Sequence, residues 1–165
     1  MIRIGSGYDI HALVAGRKLI LGGVEIDWHL GLAGHSDADV LLHAICDACL
    51  GAAAMGDIGA HFPPDDDRYK EIDSRMLLSK VAAMLHQAQW KICNLDCTII
   101  AEKPRLAPYI SAMREHVSSD LSIALSQINI KATTAEGLGF IGQQQGIAAQ
   151  AVVLLETSDS RSEST

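Results

Sequence analysis

The sequence predicts an α+β fold, a mixed four-stranded sheet with helices packed on one face and a short extra hairpin. Three observations carry this reading. Residues 91–100 alternate, with Cys93, Leu95, Cys97 and Ile99 on one side and Asn94, Asp96 and Thr98 on the other, the period of a half-buried strand. Three other segments repeat apolar residues at helical spacing. Strands and helices also mix without strict βαβ alternation, which places the helices on one face of the sheet.

In chain order, residues 2–11 read as a strand interrupted by glycines. Residues 18–21 and Val24 to Ile26 flank Gly22-Gly23, the pattern of two short strands about a hairpin turn. The Gly/His/Ser/Asp-rich stretch 31–37 leads into a helix expected over 38–55, with Leu41, Ile45, Ala48 and Ala52 in register. Residues 56–67 contain two consecutive prolines and three consecutive acids, so no regular element is expected there. A loop of that length points to a functional or mobile segment. Asp73 or Ser74 caps a second helix running to about Gln89, built on Leu77, Val81, Met84 and Leu85. After the 91–100 strand and its terminator Pro104, a third helix starts near Pro108 and carries Ile110, Met113, Val117 and Leu121. Residues 128–133 form a strand, 134–146 a Gly/Gln-rich loop, and 147–156 a final apolar strand. The expected organisation is one catalytic domain over 1–157, with a polar, disordered tail over 158–165.

The chain of 165 residues is 48% hydrophobic and 20% charged, an ordinary composition for a globular domain able to bury a core. Its net charge of −7 argues against nucleic acid or an anionic membrane as the main partner, because a phosphate backbone demands a basic footprint. A small phosphorylated ligand stays open, since a metal ion and a few local donors hold a phosphate inside an acidic protein. No secretory or transit pattern opens the chain and no apolar run approaches the ~20 residues of a membrane span, so a cytoplasmic protein is expected. The four cysteines include Cys46-Asp47-Ala48-Cys49, formally a metal-binding spacing. Yet that pair falls within a helical pattern, and Cys93 and Cys97 fall on the apolar side of a strand, where free cysteine behaves as a small hydrophobe.

The chemistry-bearing residues cluster at three places. Asp9 and His11 stand two apart on a strand and share a face, as two metal ligands or as two exposed polar residues. Asp39, His43 and Asp47 recur at four-residue intervals, forming one polar stripe on an apolar helix. A carboxylate one turn from His43 would accept its second N–H and strengthen it as a ligand, which gives Asp39 and Asp47 supporting roles; a solvated helix face is the alternative. Two histidines and one carboxylate leave the fourth position of a tetrahedral zinc site open, as catalysis requires. His35, Ser36 and Asp37 precede the helix: Ser36 and Asp37 are candidate N-caps, and His35 and Ser36 could donate to phosphate oxygens at the helix N-terminus, with plain capping as the alternative. Lys131 to Phe140 ends a strand and opens a glycine-containing loop whose hydroxyls and Glu136 suit a diphosphate with its Mg²⁺.

These stretches resemble a known family. Gly7-Tyr8-Asp9-Ile10-His11, Gly34-His35-Ser36-Asp37-Ala38-Asp39-Val40, His43, the run Leu50 to Gly59, Phe62-Pro63, Lys131-Ala132-Thr133-Thr134 and Leu138-Gly139-Phe140 resemble the 2-C-methyl-D-erythritol 2,4-cyclodiphosphate synthases, in the family's order over residues 2–156. The resemblance implies a metal-dependent phosphorus–oxygen lyase of the non-mevalonate isoprenoid pathway. In that reaction the 2-phosphate of 4-diphosphocytidyl-2-C-methyl-D-erythritol 2-phosphate attacks its own β-phosphorus and releases CMP. It implies Zn²⁺ at Asp9, His11 and His43, with His35 and Thr134 as catalytic residues that stabilise the transition state. Ser36 is implied at the 2-phosphate, and Asp57, Ile58, Gly59 and Phe62 in the methylerythritol pocket. Ala101, Pro104, Arg105, Leu106 and Ala107 are implied around cytosine, and Thr133, Thr134 and Glu136 at the diphosphate with Mg²⁺ or Mn²⁺. Asp66 and Phe140 are further implied substrate contacts. It also implies a homotrimer with active sites at subunit interfaces. One departure stands out: Gly142-Gln143-Gln144-Gln145-Gly146 lies where the family often carries Arg and Glu, so a neutral Gln143 replaces the cation that can bind an isoprenoid diphosphate on the trimer axis. A phosphohydrolase and a non-enzymatic nucleotide- or metal-binding module are the competing readings.

Overall fold

The computed structural model describes residues 1–158. Its first strand, β1 (Ile2–Val14), runs antiparallel to the last, β7 (Gly146–Thr157), in unbroken register from Ile2 opposite Glu156 to Ala12 opposite Gly146. β7 pairs antiparallel with β5 (Trp90–Ile100), and β5 pairs parallel with β6 (Ile128–Thr133). These four strands are the expected mixed sheet. A two-residue edge strand, β4 (Gly31–Leu32), adds a fifth against Leu13 and Val14, which carries β1 three residues past its predicted end. The hairpin about Gly22-Gly23 forms as β2 (Leu19–Leu21) and β3 (Val24–Ile26).

Three helices, α1 (Val40–Ala52), α3 (Ser74–Gln87) and α4 (Ile110–Leu121), cover one sheet face. On β1 the odd-numbered residues Gly5, Gly7, Asp9 and His11 turn toward them, while Ile2, Ile4, Tyr8 and Ile10 are exposed on the other face. Gly5 and Gly7 explain how close α1 lies. A Cβ on either would overlap the carbonyl oxygen of Ala48 or Ala44, so the helix backbone rests directly on the strand. Leu41, Leu42, Ile45 and Leu50 then fill the core together with β7's Ile147, Ala149, Ala151 and Val153.

Local structure departs from expectation at four points. The first helix is shorter at both ends. Asp39 rather than Ser36 or Asp37 is its N-cap, and Ala54 adopts a left-handed conformation after its C-terminus, where the Ala54 and Met55 amides close onto Gly51 and Leu50. On β5 a bulge at Cys93 shifts the alternation, so Ile92 is buried and Cys93 is not on the apolar side. The 56–67 segment holds a one-turn helix, α2 (Ile58–His61), nucleated by Asp57, whose carboxylate accepts from the Ala60 amide. The 134–146 segment holds another, α5 (Gly139–Gly142). Of the expected disordered tail, Ser158 donates its amide to the Gln89 carbonyl; residues 159–165 lie outside the described residues. Among the described residues no helix is long and apolar enough to cross a membrane.

Candidate metal centre

Asp9 and His11 enter the site from the helix-facing side of β1, and His43 meets them from α1, one residue before the Ala44 carbonyl that packs on Gly7. The close approach of strand and helix therefore brings His43 within contact of Asp9 and His11, 34 and 32 residues away in sequence. Asp9 Oδ2 lies 2.9 Å from His11 Nε2 and 3.0 Å from His43 Nδ1, and the two nitrogens are 3.2 Å apart. Among the described residues this is the one group of three or more such side chains able to hold a metal ion. All three are partly buried, with side chains 14–26% exposed, so an ion held there would remain accessible from one side. Burial works against ionisation of Asp9, but hydrogen bonds and charges from His11 and His43 outweigh it and hold the carboxyl far below the usual range. Burial likewise lowers His11, and the Asp9 carboxylate overcomes it and raises the imidazole above its ordinary 6.5.

The outer nitrogens are also engaged. His11 Nδ1 sits 2.6 Å from the Ala33 carbonyl, and His43 Nε2 lies 3.0 Å from Ser74 Oγ and 3.2 Å from Ser36 Oγ. The expected carboxylate support for His43 does not form. Asp39, fully buried, accepts from the amides of Gly22, Gly23 and Leu42, pinning the β2–β3 hairpin to the start of α1. Its burial, partly offset by those donors, pushes the carboxyl up to about 6. Asp47 accepts from the Ile58 amide at 2.7 Å and ties α1 to α2. Backbone amides take up both carboxylates, and Asp39 is buried rather than on an open polar stripe. Asp37 and Ser74 are the residues that sequence patterning assigned only to capping, and no local signal places them beside His43.

A cavity of about 200 Å³ is lined by His11 and His43 of this group, with His35, Ser36, Ile58, Gly59 and Phe62 among others. Asp57, the N-cap of α2 just before Ile58, is not among the residues that line it. Asp66 holds the loop near His35 through its carbonyl, 3.3 Å from His35 Nε2, while its carboxylate pairs with Arg68, which draws it down to about 2. A second cavity of about 390 Å³ gathers Ala101, Pro104, Arg105, Leu106, Ala107, Thr133 and Thr134 at the ends of β5 and β6. Glu102, absent from the predicted set, lines it too, and accepts from the amides of Ala135 and Gly137. Glu136 and Thr134 pair at 3.3 Å, both exposed, and Phe140 is exposed nearby in sequence. The two cavities share no lining residue. A larger one, about 720 Å³ between α3 and α4, contains none of the predicted residues.

Comparison with known proteins adds three findings. The YgbB family model matches residues 2–156. The 2-C-methyl-D-erythritol 2,4-cyclodiphosphate synthase of Moorella thermoacetica is 61% identical over 154 residues, 93% of this chain and 94% of that protein, and its counterpart from Syntrophomonas wolfei is 59% identical over 155 residues, 94% and 99% of the two chains. The solved structure of IspF from Plasmodium falciparum in its CDP complex superposes with a TM-score of 0.85 at 34% identity, covering 96% of this chain and 97% of that one.

Proposed function

The chain belongs to the YgbB family, alongside the 2-C-methyl-D-erythritol 2,4-cyclodiphosphate synthases it resembles, and from that premise we propose that it makes 2-C-methyl-D-erythritol 2,4-cyclodiphosphate and CMP from 4-diphosphocytidyl-2-C-methyl-D-erythritol 2-phosphate. The observation that carries this is the convergence of Asp9, His11 and His43 on one point, with His11 and His43 lining the same cavity as His35.

The ion we assign there is Zn²⁺. Ligand atoms 2.9–3.2 Å apart approach the edge of about 3.3 Å expected for a tetrahedral site with bonds near 2.0 Å. When bound, zinc supplies Lewis-acid polarisation of a phosphoryl oxygen. The chain's own residues do the rest. His35 and Ser36 stand at the cavity wall to hold the attacking 2-phosphate, and Asp57, Ile58, Gly59 and Phe62 surround the methylerythritol carbons. The 2-phosphate oxygen forms a bond to the β-phosphorus, and the bond from that phosphorus to the bridging oxygen breaks, leaving CMP. No water and no protein nucleophile enters, so catalysis is alignment and charge stabilisation. Thr133, Thr134 and Glu136 offer hard oxygen donors to the diphosphate and an accompanying Mg²⁺ or Mn²⁺. Ala101, Pro104, Arg105, Leu106 and Ala107 cradle the cytosine.

We further propose a homotrimer in which the metal-bearing cavity of one subunit meets the nucleotide cavity of the next. Two features support it: the two cavities are separate in one chain, and the uncovered sheet face exposes Ile2, Ile4, Tyr8 and Ile10. The cytoplasm suits four cysteines that are all free.

Incubation with the cytidine-diphosphate substrate, Mg²⁺ and Zn²⁺ tests the reading. Stoichiometric CMP and cyclic diphosphate support it. Release of inorganic phosphate makes the chain a phosphohydrolase instead, and unchanged substrate leaves a binding module.

A further inference from the structure

His43 must present a bare Nδ1 to a metal, which requires that its proton sit on Nε2 and that an acceptor wait there. Two hydroxyls lie within reach of Nε2, Ser74 Oγ at 3.0 Å and Ser36 Oγ at 3.2 Å. They differ in what holds their own hydrogens. Ser74 Oγ donates to Asp37 Oδ1 at 2.5 Å, and a carboxylate can only accept, so that hydrogen is committed. The oxygen of Ser74 is then left to accept from His43. Ser36 Oγ accepts from the Ala38 amide, and among the described residues no carboxylate orients its hydrogen. Asp37 is itself fixed by the Ser74 and Asp39 amides, at 3.0 and 3.2 Å. Ser74 is fully buried, so water does not compete for its hydroxyl.

We propose that Asp37 and Ser74 are positioning residues for the metal centre, a carboxylate–hydroxyl relay that locks His43 as the Nε2–H tautomer with Nδ1 aimed at the ion. The proposal rests on the reading of Asp9, His11 and His43 as metal ligands. The Ala33 carbonyl does the corresponding work for His11 on the opposite nitrogen, leaving Nε2 as the donor there. The relay also crosses elements: Asp37 precedes α1, Ser74 opens α3, and His43 lies between them on α1. The segment between Phe62 and Ser74 is tied to the same place, because the Ile72 carbonyl accepts from the Asp37 amide and the Glu71 amide donates to the His35 carbonyl.

The test strips zinc from the full chain and titrates it back against a chromophoric chelator, for wild type, Ser74→Ala, Ser74→Thr and Asp37→Ala. Ser74→Ala is expected to lower zinc affinity by about 10–100-fold, the usual effect of losing a ligand's outer partner. Ser74→Thr keeps the hydroxyl and stays closer to wild type, and Asp37→Ala moves in the direction of Ser74→Ala. Nitrogen-edited proton spectra of the zinc-loaded proteins give a readout independent of turnover. Wild type shows an exchange-protected His43 Nε2–H near the Ser74 side chain, and Ser74→Ala loses that protection while His11 Nδ1–H keeps it. Equal zinc affinity in Ser74→Ala and wild type overturns the relay. Should the variants not fold, an unprotected Nε2–H in wild type overturns it alone. A wild-type chain that binds no zinc at all removes the ligand reading itself, a distinguishable failure.

Discussion

Gly7 lies against the carbonyl oxygen of Ala44 so closely that a side chain of any size would overlap it. That contact sets the distance between β1 and α1, and thereby the distance from Asp9 to His43. Gly7→Ala forces helix or strand to move, with an overpacking cost of about 1–3 kcal/mol. Urea unfolding is expected to show that loss, and elemental analysis is expected to show less than one zinc per chain. Full zinc content in a destabilised Gly7→Ala protein would separate the packing from the site.

His43→Ala removes a proposed ligand but no core side chain. The buried Leu41, Leu42, Ile45 and Leu50 each contribute about 1.5–3 kcal/mol to holding α1 in place, so the fold survives. Zinc content falls to background and kcat/KM drops on the order of 10³-fold, corresponding to several kcal/mol of lost transition-state stabilisation. Circular dichroism with zinc analysis on one sample checks both halves.

Protons compete with the metal for His11, whose imidazole is raised above 6.5 by the Asp9 carboxylate. A raised base is occupied by protons from a higher pH downward. Zinc affinity is therefore expected to fall as pH drops through a range beginning above 6.5. Chelator titrations at stepped pH follow this directly. An affinity that stays flat down to pH 6 contradicts the assignment of His11 as a ligand.

Asp39→Ala separates helix support from metal support. It removes the acceptor for the Gly22, Gly23 and Leu42 amides and leaves those donors buried, which costs about 1–3 kcal/mol. Because its carboxylate makes no bond to the His43 ring, zinc stoichiometry is expected to stay at one per chain. A large fall in melting temperature with unchanged zinc is the expected pair of results.

Ile4→Asp places a charge in the exposed apolar strip of β1, where Ile4 is 71% exposed in the isolated chain. Light scattering is expected to report a mass below that of the proposed trimer. Activity falls with it, since each proposed site draws on two subunits, whereas zinc binding within one chain persists.

Much of the fold was legible because periodicity survives in a single sequence. The alternation of β5 and the helical repeats of α3 and α4 emerged close to where they were expected. Boundaries were not legible where one tertiary contact outweighs the local pattern: pairing with β4 lengthened β1, and the bulge at Cys93 reversed which residue of β5 is buried. The one-turn helix after Asp57 escaped notice because four residues carry no period.

The same division runs through the site. Residue type and spacing alone determined that Asp9 and His11 share a face, and the motif order identified the family; of the stripe read as Asp39, His43 and Asp47, only His43 and Asp47 are partly open on an otherwise buried helix, and Asp39 is buried. The shared face is a local property, fixed by strand geometry. Only the tertiary structure decided which nitrogens converge, that Asp39 and Asp47 serve backbone amides, and that Ser74 and Asp37 stand behind His43. Hydrogen bonds are allotted by distance in space, and nothing in the spacing of Asp37, His43 and Ser74 along the chain foretells that their side chains meet.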